Sequence, residues 1–245
     1  MTDLGAGDPR FRDDRGDADA AVAAALAAYA AGTGGEREAL IALASSRLLV
    51  PVVAVAQDEP DADGGCGRDQ PVRGEKSTDM AIPAIVGHDG RRALPAFTCM
   101  QALQRWQRDA RPVPVPATSV WQAAVQESQA VIIDIGGPVP LAVEGARLAA
   151  LAQGAPVPYL HEDPDVRATV AAVAASQPPG IRIRLGPPSA GADFTLELGP
   201  ASQGPARPVS AQVADAIAGE IATRLEGRVR RGISVLVRHP ASESI

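Results

Sequence analysis

One stretch of the chain, 75–106, constrains the fold more than any other. At its centre, Asp89 and Gly90 stand between two apolar runs at 80–86 and 93–98. A tight turn needs positive φ, which glycine adopts without steric cost and aspartate tolerates, so an Asp-Gly pair here favours a β-hairpin. The stretch therefore predicts two antiparallel strands joined by a turn at 87–90.

The residues around this turn also predict part of the core. Phe97 is one of only three phenylalanines and lies in the densest apolar part of the chain, so we expect its ring to be buried. A short helix follows the hairpin, because three large apolar residues recur there at helical spacing. They are Met100, Leu103 and Trp106.

Apolar patterns elsewhere in the first 153 residues alternate between strands and helices. Continuous apolar runs with β-branched residues predict buried strands at 47–56 and 131–135. Pro51 inside the first run predicts a bulge or an edge position. Helical spacing predicts helices at 19–31, 117–129 and 144–153. In the helix at 117–129, the Val125 side chain is predicted to face the core. Alternate prolines at 112, 114 and 116 predict an extended connector.

The periodicity lapses at 154–158 and then resumes in a new order. Helix, strand, strand, helix and strand are predicted at 165–176, 181–185, 193–198, 210–226 and 233–238. We therefore predict an α+β protein of two mixed α/β-sheet domains. The first, at 17–154, follows a disordered tail at 1–16 and combines helices with a hairpin-containing sheet. The second, at 158–245, is a smaller αββαβ unit.

Composition excludes several classes of function. The net charge is −6, which disfavours nonspecific binding to nucleic acid. The longest apolar run, 20–31, is too short to span a membrane, and its acidic approach does not resemble a signal peptide. We therefore expect a cytoplasmic protein without nucleic-acid or membrane partners. Two cysteines and three distant histidines show no metal spacing.

The sequence contains no complete catalytic or nucleotide-binding motif of a familiar kind. The segment 67–78 resembles a phosphate loop, but Glu75 separates glycine from Lys76 and the residues after it are predicted to form a strand. Gly136 and Gly137 follow a strand, but the proline after them excludes a dinucleotide turn. Cys99 is best interpreted as a buried inert thiol. We expect no catalytic residues, metal ligands or cofactor.

Charged residues in the second half have ordinary local explanations. Asp163 precedes a proline and is predicted to cap the following helix. The basic cluster of Arg228, Arg230 and Arg231 is predicted to be a solvated helix end, where cations complement the helix dipole.

Several segments together resemble the SseB family, specifically its N-terminal domain as it appears in actinobacterial proteins. The resemblance covers residues of about 19–153. Its matching segments are LLVPV at 48–52, EKSTDMA at 75–81, DGR at 89–91, ALPAFT at 93–98, Trp106, RPV at 111–113, VIID at 131–134 and GGP at 136–138. The second half is similar to the family's C-terminal domain in element order alone. The resemblance implies a fold and supplies no catalytic residues.

The leading functional hypothesis is a non-catalytic binding or regulatory module with an unknown protein or small-molecule partner. Its candidate surface combines the approach to the hairpin with the turn after the second buried strand: Lys76, Ser77, Asp79, Arg92, Asp134, Gly136 and Gly137. Lys76 is the only lysine, in a chain where arginine is the default cation. Two alternatives stay open. One is an enzyme of unrecognised type that uses Lys76, Asp79, Arg92 and Asp134, and the other is assembly through an exposed strand. The sequence does not indicate an oligomeric state.

Overall fold

A computed structural model describes residues 8–56, 78–87, 90–127, 129–138, 140–189, 191–201 and 209–238, without the side chains of 54–56 and 78–80. Within these residues, helices and three sheets alternate, which confirms the predicted α+β fold. The proposed division into two domains at 154–158 stays a prediction.

The first part of the chain builds two sheets and five helices among the described residues. Its helices are α1 (Ala20–Ala30), α2 (Glu36–Ala44), α3 (Met100–Trp106), α4 (Ala117–Gln126) and α5 (Gly145–Gln153). Its strands are β1 (Arg47–Ala56), β2 (Thr78–Ala81), β3 (Ile85–Val86), β4 (Arg92–Ala96), β5 (Arg111–Pro116), β6 (Ala130–Ile133) and β7 (Leu141–Val143). The sheet orders are β2-β1-β5 and β3-β4-β6-β7, with β4 and β6 parallel.

The prolines of β5 are placed where a strand can accept them. The connector predicted at 112–116 is instead a strand that pairs antiparallel with β1, with Pro112 opposite Pro51 and Pro114 opposite Leu49. Along a strand, alternate residues direct their N–H groups to opposite sides. The prolines therefore occupy the positions whose missing N–H would face away from β1, at the edge of the sheet.

Pro51 in β1 follows the same rule on the other side. The neighbouring odd-numbered residue Leu49 exchanges backbone hydrogen bonds with Phe97, at 2.8 and 2.9 Å. A backbone N–H at position 51 would face this same side. Pro51, which lacks one, lies in the gap between the Leu49 bridge and the pairing with β2 that begins at Val53. The Leu49–Phe97 bridge also links the two sheets and brings the fully buried Phe97 ring into the core, as predicted.

The predicted hairpin exists but is shorter than expected. Val86 pairs with Arg92 and Ile85 with Ala93, and Gly90 has a φ of +79° in the turn. The residues 78–81 do not continue this hairpin, because β2 pairs with β1 in the other sheet. The chain changes sheets at 82–84, around Pro83, which cannot donate to a ladder. The turn residues 88 and 89 lie outside the described residues.

Residues 8–16 belong to the segment predicted to be a disordered tail, and they contact the first part of the structure. The Asp14 carboxylate is 2.7 Å from Arg47 Nε, and the Gly16 carbonyl accepts a 2.7 Å hydrogen bond from the Met100 backbone. Asp19 then caps α1 by accepting from the backbone N–H groups of Ala21 and Val22.

The second part of the chain follows the predicted element order. Its elements are α6 (Pro164–Ser176), β8 (Ile181–Gly186), β9 (Phe194–Pro200), α7 (Ala211–Arg224) and β10 (Ile233–Val237), preceded by a 3₁₀ turn at Leu160–Glu162. β9 is the central strand, antiparallel to β8 and parallel to β10. Buried apolar residues of α6 and α7 pack on one face of this sheet in a cluster of their own.

Candidate functional site

A largely apolar concave surface lies where β4 and β6 begin and β7 ends. We call it the β4–β6 cleft, and its volume is about 530 Å³. Because β4 and β6 are parallel and β7 runs opposite, these three ends meet at one edge of the sheet. The cleft is lined by Ile85, Gly87, Arg91, Arg92, Ala93, Val125, Gln129, Ala130, Ile132, Ala142, Glu144, Gly145, Leu148 and Ala149.

Small strand residues leave space for this cleft. Ala93 pairs with Ala130, and Ile132 pairs with Ala142, so three of these four side-by-side residues are alanines. An alanine at each position projects little beyond the backbone, and the floor of the cleft stays low and apolar. At the cleft itself, Val125 is 44% exposed. The prediction that Val125 points inward is wrong, because it lies in the last turn of α4, beyond the helix's buried residues.

Charged residues stand at the rim of the cleft. Arg91 Nη1 is 2.6 Å from Glu144 Oε2, an exposed ion pair that joins the hairpin turn to the start of α5. Arg92 is exposed, and its side chain makes no ion pair or hydrogen bond with the residues that the structure describes. In the described part of the rim, Arg92 is therefore a cation without a carboxylate partner beside an apolar floor.

The structure places the predicted surface residues in different regions. Lys76 and Ser77 lie outside the described residues. Asp79 lies in β2 opposite Val55, and its side chain is not described. Arg92 lies at the β4–β6 cleft. None of these placements tests the predicted surface.

Asp134 and the two glycines after it lie at the other end of β6. Asp134 is level with Phe97, five residues along the strand direction from Arg92, which corresponds to roughly 16 Å along the sheet. The Asp134 carboxylate accepts hydrogen bonds from the Thr98 backbone N–H at 2.8 Å and from Thr98 Oγ1 at 2.7 Å. Burial raises the pKa of Asp134, and the hydrogen bonds from Thr98 oppose that shift. Both carboxylate oxygens are engaged in fixing the turn before α3.

The glycines of this turn allow close packing. A Cβ at Gly136 would stand 2.9 Å from the Trp106 backbone nitrogen, and one at Gly137 would stand 2.9 Å from the Asp134 carbonyl oxygen. Asp134 itself has a φ of +50°, in the left-handed region that short polar residues tolerate. The turn 134–137 thus has a packing role at the end of β6.

Sequence reasoning missed a buried ring of four charges between the two parts of the chain. Glu36 at the start of α2 is 1% exposed and bonds to Arg147 of α5, which is 3% exposed. Arg228 Nη2 is 2.9 Å from Asp163 Oδ2 and 3.4 Å from Glu36 Oε2. Arg147 Nε closes the ring at 4.0 Å from Asp163 Oδ2. We call these four residues the charge ring; its charges alternate in sign and sum to zero.

Burial and pairing act in opposite directions on the acids of the charge ring. Burial raises the pKa of Glu36, and the positive charges of Arg147 and Arg228 only partly counter it. Burial also acts to raise the pKa of Asp163, but the hydrogen bond and charge of Arg228 outweigh it, so this pKa lies below its ordinary value. Asp163 also caps α6 by accepting from the Asp165 backbone N–H, as predicted.

The basic cluster 228–231 contacts other residues, so its interpretation as a solvated helix end is wrong. Arg230 donates to the backbone carbonyls of Tyr29 and Ala30, and its guanidinium lies 4.9 Å from the centroid of the Tyr29 ring. Arg231 Nε is 3.1 Å from Asp193 Oδ1. Each arginine therefore has a specific partner, because the chain after α7 runs along the C-terminal end of α1.

Comparison with known families identifies the first part of the chain. The model of the SseB protein N-terminal domain matches residues 22–150, from α1 into α5. The chain belongs to the SseB family. The recognition made from the sequence is thereby confirmed at the level of the family, whereas the actinobacterial type and the resemblance of the second half stay predictions. Searches of curated proteins and of solved structures found no match.

The boundaries of the SseB domain locate the two clusters described above. All residues that line the β4–β6 cleft fall within 22–150. The charge ring is divided, since Glu36 and Arg147 lie inside the matched range and Asp163 and Arg228 lie beyond it. The cleft is therefore a feature of the SseB domain, and the charge ring joins that domain to the second part.

Neither a metal centre nor a membrane span is found in the described part of the chain. There, no group of three or more His, Cys, Asp or Glu side chains is arranged to hold a metal ion. Among the same residues, no helix combines the length and apolar character that crossing a bilayer requires. Cys99 is a free, partly buried cysteine that packs beside Phe97 and Leu49.

Proposed function

We propose that this SseB-family protein is a non-catalytic binding module whose β4–β6 cleft receives an apolar side chain of a protein partner. The observation that carries the proposal is the combination of an open apolar floor with the exposed aliphatic side chain of Val125 beside it. Exposed apolar surface at a cleft is typical of protein interaction sites.

The charges at the rim suggest what the partner presents. Arg92 makes no ion pair with the described residues, and an exposed guanidinium next to an apolar floor suits a carboxylate on the opposing surface. The partner would therefore place an acidic residue next to the inserted apolar side chain. Arg91, the other arginine of the rim, is paired with Glu144.

The predicted candidate residues support an enzyme less well. Of the four polar residues that the enzyme hypothesis requires, Arg92 and Asp134 lie at opposite ends of the sheet. The Asp134 carboxylate also accepts two hydrogen bonds from Thr98. A general base needs an oxygen within reach of substrate, and both oxygens here are directed at the α3 turn.

The test uses cross-linking followed by direct binding. A photoreactive phenylalanine analogue at Val125 captures partners in native cells, and the same analogue at Val213, exposed on α7, is the matched control. The protein captured only from Val125 is purified, and its Kd is measured for the wild type, Val125→Glu, Arg92→Glu and the control Arg105→Glu on α3.

We expect Arg92→Glu and Val125→Glu each to weaken binding by about tenfold or more, equivalent to about 1.4 kcal/mol. Arg105→Glu makes the same charge reversal away from the cleft and should leave Kd unchanged. Equal weakening by Arg92→Glu and Arg105→Glu would refute the proposal, as would the absence of any partner specific to Val125.

Assembly through an exposed strand is a second candidate, and one observation favours it. β10 lies at the edge of its sheet, and its Leu236 is 48% exposed. Edge strands pair readily with other chains unless they are protected. Sedimentation of the wild type and of Leu236→Lys tests this candidate: self-association that the substitution removes supports it, and a monomer at all concentrations contradicts it.

A further inference from the structure

A second cleft lies in the other part of the chain, between α6 and the edge strand β8. We call it the α6–β8 cleft, and its volume is about 680 Å³. Its apolar wall includes Val170 and Ala174 of α6 and Ile183 and Leu185 of β8. The volume lies within the range of sites that hold small organic ligands.

The cations of this cleft come from its two opposite elements. Arg167 projects from α6 and Arg184 from β8, and both are exposed. Neither side chain makes an ion pair or a hydrogen bond with the described residues. Arg167 and Arg184 therefore line one concave surface and have no carboxylate partner among the residues that the structure describes, in a chain whose net charge is −6.

The acidic groups at the same cleft are already engaged. Glu162 Oε2 accepts a 3.1 Å hydrogen bond from the Tyr159 backbone, and its Oε1 is 3.9 Å from Nε2 of His161, which also lines the cleft. Glu197 Oε1 accepts a 3.1 Å hydrogen bond from Arg238. Of the charged side chains that line the cleft, Arg167 and Arg184 are therefore the two without a partner among the described residues.

The neighbouring arginine on β8 shows that this arrangement is not common to the whole strand. Arg182 lies two residues before Arg184, but it is not part of the cleft, and its guanidinium donates to the Ala201 carbonyl oxygen. Arg182 thus provides a matched control with the same charge on the same strand.

We propose that the α6–β8 cleft binds a small phosphomonoester with an apolar group. Arg167 and Arg184 hold the phosphate oxygens from opposite sides, since guanidinium groups donate in pairs to phosphate. The apolar group of the ligand contacts Val170 and Leu185. This site lies beyond the matched SseB domain and does not depend on the β4–β6 cleft, so each proposal stands or fails by itself.

The test uses phenyl phosphate as the probe, because it combines a dianion with one apolar ring. Inorganic phosphate lacks the ring, and benzyl alcohol lacks the charge. Calorimetric titration of the whole 245-residue chain gives Kd for each probe, and the Nε–Hε NMR signals of the arginines show which guanidinium groups respond. The variants are Arg167→Gln, Arg184→Gln and the control Arg182→Gln; all three positions are exposed, so each variant should fold.

We expect saturable binding of phenyl phosphate with a Kd of about 1 mM or below, and weaker binding of both control probes. Arg167→Gln and Arg184→Gln should each weaken binding by about tenfold, and Arg182→Gln by less than about twofold. An equal loss in Arg182→Gln would mean diffuse charge attraction and would overturn the proposal. Equal affinity for inorganic phosphate, or no saturation at about 10 mM, would overturn it as well.

Discussion

Replacing Arg147 with methionine tests the charge ring most directly. The side chain is 3% exposed and contacts Glu36, the Ala142 carbonyl oxygen at 3.3 Å and Asp163 at 4.0 Å. Methionine retains much of the apolar volume and removes the charge. The ring then holds two carboxylates and one guanidinium, so one buried negative charge has no compensation.

The expected loss in the free energy of unfolding is about 3–5 kcal/mol, because removing one partner of a buried ion pair leaves the other charge desolvated. Glu36 should respond by binding a proton, since burial already raises its pKa and Arg147 opposes that shift. A folded-state pKa above the unfolded value makes stability fall as pH rises between the two. The deficit of Arg147→Met should therefore be smaller near pH 5 than near pH 8, by about 1.4 kcal/mol for each unit of additional shift.

Urea titration followed by tryptophan fluorescence measures this effect, because Trp106 and Trp121 both lie in the SseB domain. The double variant Glu36→Gln with Arg147→Met should recover about 1–3 kcal/mol relative to the single variant, since it removes the uncompensated carboxylate. The control Arg224→Met removes an exposed pair with Glu220 and should change stability by about 0.5 kcal/mol or less. A deficit of Arg147→Met below about 1 kcal/mol that does not change with pH would refute the reasoning.

Three further substitutions test the fold of the SseB domain. Phe97→Ala should lower the free energy of unfolding by about 3–5 kcal/mol, because removing the fully buried ring leaves a cavity. Urea titration measures this loss, with the surface substitution Val86→Ala as the control. A loss below about 1 kcal/mol would place the ring outside the core. Gly90→Val should lower the free energy of unfolding by about 1–2 kcal/mol through backbone strain alone, since φ is +79° and a Cβ would meet nothing within 4 Å. Unchanged stability in the same titration would contradict a positive φ at Gly90. Asp134→Asn should flatten the pH dependence of stability, because burial raises the pKa of Asp134 and wild-type stability falls as pH rises from its ordinary to its raised value. Unfolding titrations at pH about 4 and 7 test this, and an unchanged slope would show that Asp134 does not contribute.

Local sequence patterns were sufficient to predict those elements whose structure is determined by residues within one short segment. The strand 47–56 was predicted with the bounds that the structure gives to β1, because a long β-branched run permits few other structures. The Asp19 cap and the glycine of the hairpin turn were predictable for the same reason: each acts within a few residues. The family model then confirmed what these local segments indicated together.

Pairing partners could not be predicted from local patterns. Alternate prolines at 112–116 read as a connector because a proline cannot donate to a neighbour, yet β5 presents them on the side without a partner. β7 was not predicted, because its three residues are too few for a pattern to register. Val125 lies at a helical position of α4 that the spacing assigns to the buried face. Whether other elements cover the last turn of α4 depends on residues far away in sequence.

The charge ring shows why the contact between the two parts was missed. Its members are separated by at least 16 residues, and a sequence reveals only the local role of each. Asp163 illustrates the difference, because Oδ1 caps α6 and was predictable, whereas Oδ2 binds Arg228 and was not. An arginine after a helix has the same local pattern whether it is solvated or buried against another helix. Glu36 and Arg147 belong to the SseB domain, and Asp163 and Arg228 follow it. The four charges are all compensated only when both parts of the chain are in contact, so the free energy of that contact should depend on the charge state of Glu36.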